Sequence, residues 1–401
     1  MPRVSAFARV SGPRDSVGRV DIPNARAQAA AESVKASFGH EFLGLPSTWL
    51  AWVWSPHPRP HLPWSEWHYW WQAHLLDCLV DAALREARSD GSSPQAALPP
   101  SLALAQRLLR GIRLRNFGRF PNLFFDDMAW LALASARADN LARALTGRGL
   151  PPAGEAARTL GRRLEAGHTD DLGGGMFWNT RRRYKNTATT GPAALFFART
   201  GDLDRAQGLV DWLYANLFDD ETGLFLDGIH LETDGVTSLN RDVWAYNQGP
   251  ILGAMLELGG AGLEQAAALV HAVDARLTEQ AELAGPEPAR ALKAHGDGDG
   301  GLFMGILSRY LTLAALDQRL PEETRLAARR LVLGTAEALW LGRDERASHL
   351  VFPAHPGEAA SSSYPPGSRV ELCTQLQAWM VLEGAARLER TPRQLENIKI
   401  A

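Results

Sequence analysis

Two aspartates stand side by side in the stretch Asn122-Leu123-Phe124-Phe125-Asp126-Asp127-Met128-Ala129-Trp130, where an aromatic turn runs into a helical pattern. Apolar and small residues recur at helical spacing from Met128 onward, so the sequence predicts a helix that begins near the pair. A helix start favours negative charge, but one aspartate is enough to cap it. The second aspartate, flanked by aromatic side chains, needs another explanation.

Two carboxylates that share a partly apolar environment repel each other, so their pKa values separate and one keeps its proton longer than the other. Glycoside hydrolysis uses this division between a nucleophile and a general acid/base. The local pattern therefore has two interpretations: an ordinary acidic helix start, or the catalytic pair of a glycosidase.

The rest of the chain predicts one helix after another. Besides the helix that Asp126 and Asp127 begin, helical patterns cover about 25–38, 64–88, 101–115, 154–166, 185–199, 203–217, 241–258, 263–284, 301–317, 321–341 and 370–388. No Pro/Ser-rich linker divides them, so we expect one domain over residues 1–401, with a polar lead-in at about 1–24.

Twelve helices make six hairpins, and the even-numbered ones carry more aromatic, glycine and amide residues near their N-termini. This asymmetry predicts an all-α fold, an (α/α)6 barrel whose inner ring consists of the even-numbered helices. An open superhelical repeat protein is the alternative, but the sequence shows no period of 34 or 40 residues to support it.

Composition excludes several classes of protein. The net charge of −3 gives no nucleic-acid footprint, and no segment has the apolar length of a signal peptide or a membrane span. We therefore expect a soluble cytoplasmic protein. Cys78 and Cys373 lie in apolar helical patterns and are expected to be buried free thiols. We expect no metal or other cofactor, and the calcium-like run His295–Gly300 is predicted to be a turn because the spacing of a calcium loop is missing.

Other stretches offer groups that suit a sugar. Trp70-Trp71-Gln72 combines aromatic faces with an amide, although plain packing explains the tryptophans equally well. Trp244–Pro250 begins a helix with hydrogen-bonding side chains, and Asp219–Gly228 predicts a short hairpin in which Asp227 is directed at a partner.

The glycine-rich run Asp170–Asn179 lacks the Gly-Lys-Ser/Thr of a phosphate loop, and a sharp bend that presents Phe177 and Trp178 explains it better. Arg181-Arg182-Arg183 follows. Such a run is usually a solvated face; contact with an anionic group on a ligand is the other possibility. No Gly-x-Ser-x-Gly nucleophile elbow is present.

Taken together in order, these motifs resemble those of family 76 of the glycoside hydrolases, the endo-α-1,6-mannanases. The resemblance covers about residues 40–385 and rests on Phe125–Trp130, Trp70–Gln72, Gly174–Trp178, Tyr184–Asn186, Asp227–Gly228, Tyr246–Gly249 and Gly305–Leu311. It implies an (α/α)6 barrel and a retaining hydrolysis of α-1,6-linked mannose in mannan, manno-oligosaccharides or glycolipid fragments.

By this resemblance Asp126 is the nucleophile and Asp127 the acid/base. The residues expected to bind substrate are Trp71, Gln72, Trp178, Lys185, Asn186, Asp227, Tyr246, Asn247, Gln248 and Arg309. Adjacent residues at a helix start point about 100° apart, so their carboxyl groups can approach the ~5–5.5 Å of retaining enzymes rather than the ~6.5–9.5 Å of inverting ones.

Two residues differ from the family pattern, and both differences bear on which substrate the protein would bind. Met304 stands where the family usually has a lysine, and Asn179 where an aspartate commonly follows the second aromatic residue. Two other functional classes stay open. A sugar epimerase on the same scaffold would need a pair of histidines, and none is obvious; a non-catalytic glycan-binding relative would have no need for two adjacent carboxylates.

Overall fold

Helices in which most residues are buried alternate along the chain with helices that are buried on one face only. The computed structural model describes residues 22–57, 65–89, 98–232, 235–282, 289–346 and 349–390. Its helices are α1 (Ile22–Phe38), α2 (Tyr69–Ser89), α3 (Pro100–Arg115), α4 (Phe125–Thr146), α5 (Pro151–Gly167), α6 (Thr187–Thr200), α7 (Leu203–Leu217), α8 (Ala245–Leu258), α9 (Ala261–Arg276), α10 (Phe303–Leu316), α11 (Glu322–Gly342), the single turn α12 (Ala360–Ser363) and α13 (Leu372–Leu388).

Six of these helices close a ring. Each of α2, α4, α6, α8, α10 and α13 packs against the next, and α13 returns to α2. The outer helices α3, α5, α7, α9 and α11 each pack on the inner helix that precedes them in the chain, and α1 packs on α13. This arrangement is the predicted (α/α)6 barrel.

Short antiparallel strands join the helix ends. They are β1 (Gly39–His40), β2 (Leu50–Ala51), β3 (Trp54–Ser55), β4 (Tyr184–Asn186), β5 (Phe218–Asp219), β6 (Leu224–Phe225), β7 (Gly228–Leu231), β8 (Thr237–Asn240), β9 (Thr278–Ala281), β10 (Ala289–Leu292), β11 (Asp344–Arg346), β12 (His349–Val351) and β13 (Val370–Glu371). The sheet β4-β7-β8 has three strands, and the pairs β1-β2, β3-β13, β5-β6, β9-β10 and β11-β12 have two.

The β5-β6 pair is the hairpin that the sequence predicts, with Phe218 opposite Phe225. The ninth predicted helix, about 263–284, is wrong at its end. Helix α9 stops at Arg276 because Thr278–Ala281 pairs with Ala289–Leu292 instead of continuing the helix. Its last two predicted residues, 283–284, and residues 1–21 of the polar lead-in lie outside the described residues.

Cys78 and Cys373 are buried free thiols, as predicted. In the described ranges, no helix combines the length and the apolar character needed to cross a membrane.

The barrel interior contains a charged cluster. Arg137 on α4 and Arg309 on α10 both pair with Asp77 and Asp81 on α2; their contacts with Asp81 measure 2.6 and 2.7 Å. Burial opposes ionisation of Asp77, but the two guanidinium groups outweigh it and lower its pKa to about 2. The prediction that Arg309 binds substrate is therefore wrong, since its side chain joins three inner helices beside a separate cavity of about 40 Å³.

Three inner helices carry a glutamine at the fourth position, where it holds the backbone of a preceding segment. Gln375 of α13 accepts a hydrogen bond from the backbone N–H of Phe352 (2.8 Å) and donates one to its carbonyl (2.9 Å). Gln72 forms the same pair of bonds with Ala51, and Gln248 with Phe225. A glutamine amide satisfies a buried peptide group completely in this way.

Gln72 and Gln248 were expected to line the sugar groove, and that expectation is wrong. Both side chains are fully buried, and the two ends of each amide are used by the backbone. Amide residues do recur near the N-termini of the inner helices, but Gln72 and Gln248 stabilise the fold instead of contacting a ligand.

We predict that Gln375→Leu lowers the free energy of unfolding by about 2–4 kcal/mol, because it leaves the buried N–H and C=O of Phe352 without partners. Urea denaturation measures this change. The exposed Gln318→Leu is the matched control and is expected to stay within about 0.5 kcal/mol of the wild type. Equal effects of the two substitutions would contradict the role of the glutamine.

Candidate active site

A cleft of about 790 Å³ opens at the N-terminal ends of several inner helices. Arg119 and Arg163 line it together with many aromatic residues, which include Trp67, Trp70, Phe124, Trp130, Trp178, Tyr184, Tyr246 and Phe303. Four carboxyl groups face the same space, those of Asp126, Asp127, Asp227 and Asp299. Aromatic faces next to hydrogen-bonding groups are suited to a ligand with apolar faces and a polar rim.

The loop that carries Trp178 is tied directly to the start of α4. The backbone N–H of Phe125 donates to the carbonyl of Trp178 (2.7 Å), and that of Thr180 donates to the carbonyl of Leu123 (3.0 Å). These bonds fix the Trp178 indole beside the aspartate pair.

Asp126 accepts two hydrogen bonds. The indole N–H of Trp178 donates to Oδ2 (2.9 Å), and the backbone N–H of Asp127 donates to Oδ1 (2.9 Å). Burial raises the pKa of Asp126 to about 7, although these two donors favour the ionised form and offset part of the effect.

The ionised form of Asp127 is stabilised by fewer hydrogen bonds than that of Asp126. Its side chain accepts one hydrogen bond, from the amide of Asn122 (2.5 Å). Burial raises its pKa well above the ordinary value, and the charge of Asp126 raises it further. The hydrogen bonds therefore favour ionisation of Asp126 over ionisation of Asp127, a separation of the kind that the sequence predicts.

The glycine run bends as expected, but it presents only Trp178 to the cleft, because Phe177 is buried. A buried lysine holds the run. Gly173, Gly174 and Gly175 all have positive φ, and a Cβ at Gly175 would lie 2.5 Å from the Trp212 ring. The ammonium group of Lys185 donates to the carbonyls of Asp171 and Gly174, the latter at 2.5 Å.

The expectation that Lys185 lines the groove is wrong. The side chain is fully buried, and burial lowers the pKa of its ammonium group to about 8. Lys185 positions the loop from the side away from the cleft, and only its neighbours in strand β4, Tyr184 and Asn186, line the cleft.

Asp227 lines the cleft and is held by three donors. These are the Tyr184 hydroxyl (2.5 Å), the Asn247 amide (3.1 Å) and the Asn240 amide (3.2 Å). Asn247 was also predicted to line the groove, but it is 1% exposed and lies behind the carboxylate that it orients. The hairpin therefore does direct Asp227 at partners, as the sequence predicts.

Trp70 and Trp71 differ in a way that their sequence does not reveal. Both indole N–H groups donate to the same Asp299 oxygen, at 3.0 and 3.1 Å. Trp70 lines the cleft, whereas Trp71 is 1% exposed and stacks on His68. The predicted contact of Trp71 with substrate is therefore wrong, and its neighbour forms the wall.

Asp299 is a cleft residue that sequence reasoning missed. It lies in the glycine-rich run that was predicted to be only a turn, and its neighbours there give no sign of a distant partner. Trp130 was also left without a role, although it belongs to the central stretch and lines the cleft.

Tyr246 and Asn186 lie where they were expected. Tyr246 lines the cleft and stacks on Phe303, with ring centroids 4.0 Å apart and planes at 18°. Asn186 lines the cleft while its side chain caps α6 by accepting from the Thr189 N–H (3.1 Å). Within the described ranges, no group of three or more His, Cys, Asp or Glu side chains is placed to hold a metal ion.

Comparison with known families agrees with this geometry. The model of glycosyl hydrolase family 76 matches residues 54–387 of the chain. The chain belongs to this family. It is therefore a glycoside hydrolase, and its (α/α)6 barrel is the fold of its relatives.

Solved structures show the same similarity. An α-1,6-mannanase from Salegentibacter sp. HEL1_6 is 30% identical with a TM-score of 0.74, over 92% of this chain and 100% of that one. An inactive variant of that mannanase, with two adjacent aspartates changed to asparagine, was solved in complex with α-1,6-mannotriose. A Listeria innocua protein is 27% identical with a TM-score of 0.72, over 92% of this chain and 97% of that one. A comparison with curated proteins found no match.

We predict that Trp178→Phe raises the pKa of Asp126 by about one unit, because it removes a hydrogen bond that favours the ionised carboxylate. A ¹³C NMR titration of aspartate-labelled protein measures this pKa, with Asp126→Asn to assign the signal. Trp70→Phe is the matched control, since it removes an indole N–H bound to Asp299 instead. An equal shift in both variants, or none in Trp178→Phe, would rule out the hydrogen bond as the cause.

Proposed function

We propose that this protein is a retaining glycosidase that hydrolyses α-1,6-mannosidic bonds. The observation that carries the proposal is the Asp126–Asp127 pair, which lies at the aromatic cleft with one carboxyl group better stabilised as an anion than the other. A 30% identical mannanase is inactive when two adjacent aspartates are replaced, and its complex with α-1,6-mannotriose supports the choice of linkage.

The hydrogen bonds support the division of roles. Asp126, with two donors, is the group that ionises first and attacks the anomeric carbon. Asp127, with its raised pKa, protonates the departing oxygen and then takes a proton from the water that hydrolyses the glycosyl-enzyme. Asn122 holds the Asp127 carboxyl group while its protonation changes.

The cleft walls are suited to mannose. Trp70, Trp130 and Tyr246 offer aromatic faces for the apolar side of the ring, where a stacking contact is worth about 1 kcal/mol. Asp227 presents a carboxylate with a fixed orientation to sugar hydroxyl groups, and Asn186 lies beside it in the lining of the cleft.

We predict that linear α-1,6-manno-oligosaccharides are cleaved and that their α-1,2 and α-1,3 isomers are not, with activity unchanged after chelation of metal ions. Product chromatography measures this specificity, and the double variant Asp126→Asn/Asp127→Asn controls for contaminating activity. Equal cleavage of the α-1,2 isomer, or complete loss of activity on chelation, would contradict the proposal. Epimerised mannose without hydrolysis would favour the epimerase alternative.

We predict net retention, so NMR at early times should show α-mannose as the first product. Asp127→Ala should lose about 10²–10⁴-fold in kcat/KM on oligosaccharides but keep activity on an activated aryl mannoside, whose leaving group needs little protonation. Azide should rescue this variant and give an α-mannosyl azide.

Asp126→Ala is the matched variant and should be inactive on both substrates, with any azide product in the β configuration. A wild-type product that first appears as β-mannose would refute retention. An α-azide formed only by Asp126→Ala would exchange the roles of the two aspartates.

A further inference from the structure

The three consecutive arginines form a turn at the edge of the cleft. Arg181–Arg183 lies between Trp178 and Tyr184, whose backbones are joined by a hydrogen bond from the Trp178 N–H to the Tyr184 carbonyl (2.7 Å). The Asn179 side chain accepts from the Arg181 N–H (3.0 Å), and Arg182 has a φ of 55°. The turn is thus fixed to the loop that carries Trp178, the indole beside Asp126.

Arg181 and Arg183 line a second pocket that adjoins the cleft. This pocket has a volume of about 340 Å³, and the residues that line it are Trp178, Asn179, Arg181, Arg183, Tyr184, Asp227, His230 and Asn240. Trp178, Tyr184 and Asp227 also line the cleft, so the two spaces share a wall. A ligand that extends past Trp178 enters this pocket.

The pocket carries an excess of positive charge. Neither guanidinium group forms an ion pair with another described residue, whereas Arg85, Arg137 and Arg309 elsewhere in the barrel are all paired with carboxylates. Asp227 is the acid among the described residues of the lining, and it forms no ion pair with either arginine, so the two guanidinium groups leave an excess of positive charge.

We propose that this pocket binds an oxyanion carried by the α-mannoside substrate, a phosphate ester or a carboxylate. Guanidinium groups bind both through paired N–H···O bonds, and two arginines on one short turn offer two such forks. The His230 ring, which stacks on Tyr184 with centroids 4.2 Å apart, supplies a further polar group in the lining.

The inference rests on the proposed glycosidase activity and makes the substrate class more specific. The enzyme would then prefer mannosides that carry a charged group close to the scissile bond over plain neutral mannan. A neutral substrate would leave the two guanidinium groups solvated, with no loss of the catalytic contacts at Asp126 and Asp127.

The test compares kcat/KM for neutral α-1,6-mannotriose with that for three anionic forms. These carry a phosphate on the non-reducing terminal O6, a methyl phosphodiester at the reducing end, or a terminal uronate. At low ionic strength we expect one anionic form to be preferred by about tenfold through KM, with the preference falling in 0.5 M NaCl because the arginines are exposed.

The double variant Arg181→Gln/Arg183→Gln should bring the anionic-to-neutral ratio of kcat/KM close to one. Arg158→Gln/Arg162→Gln is the matched control, since it removes two exposed arginines of α5 that line neither the cleft nor the pocket, and it should keep the wild-type ratio.

Calorimetric binding of the same four ligands to Asp126→Asn/Asp127→Asn provides a readout that does not depend on turnover. Tighter binding of an anionic form, lost on adding Arg181→Gln/Arg183→Gln, supports the pocket even if hydrolysis fails. If neutral mannotriose is cleaved but no anionic form is preferred in either assay, the arginine turn is only a solvated face and the inference is wrong, while the glycosidase proposal stands.

Discussion

This site depends on the burial of two carboxyl groups at one helix start, where both are largely removed from water. Both pKa values are raised, so the folded protein holds protons there that free aspartates would lose at neutral pH. The surrounding structure sets the order of proton loss by distributing donors unequally. Trp178 and a backbone N–H favour the Asp126 anion, while among the described residues only Asn122 donates a hydrogen bond to the Asp127 side chain.

A series of contacts that begins at the buried Lys185 holds the Trp178 indole N–H in place. Lys185 binds carbonyls of the glycine run, that run bends toward Phe177 and Trp178, and Trp178 pairs with the start of α4. A buried lysine is costly to desolvate unless its donors are used. Here carbonyl groups of the loop accept those donors, so Lys185 stabilises a loop whose glycines would otherwise allow it many conformations.

Periodicity predicted the helices well, because an apolar stripe determines both the length of a helix and the face that it buries. It also placed Asp126 and Asp127 at a helix start. The same pattern could not say what a buried polar side chain contacts, so Gln72, Gln248 and Arg309 were misassigned. Their partners are distant in sequence, and the Asp299 contact with Trp70 spans 229 residues. Only the closed ring of helices brings such groups together.

The barrel holds one buried carboxyl group whose pKa is lowered and others whose pKa values are raised. The placement of arginine explains the difference. Asp77 has two guanidinium partners and a pKa of about 2, whereas Asp126 has none among the described residues and a pKa of about 7. An arginine in contact with the pair would lower both pKa values and remove the proton that Asp127 donates in the proposed mechanism. Arg119 and Arg163 line the cleft, but neither forms an ion pair with either aspartate in the described structure. Arg181 and Arg183 line the adjoining pocket, where they are placed to attract an anionic ligand without an ion pair to either aspartate.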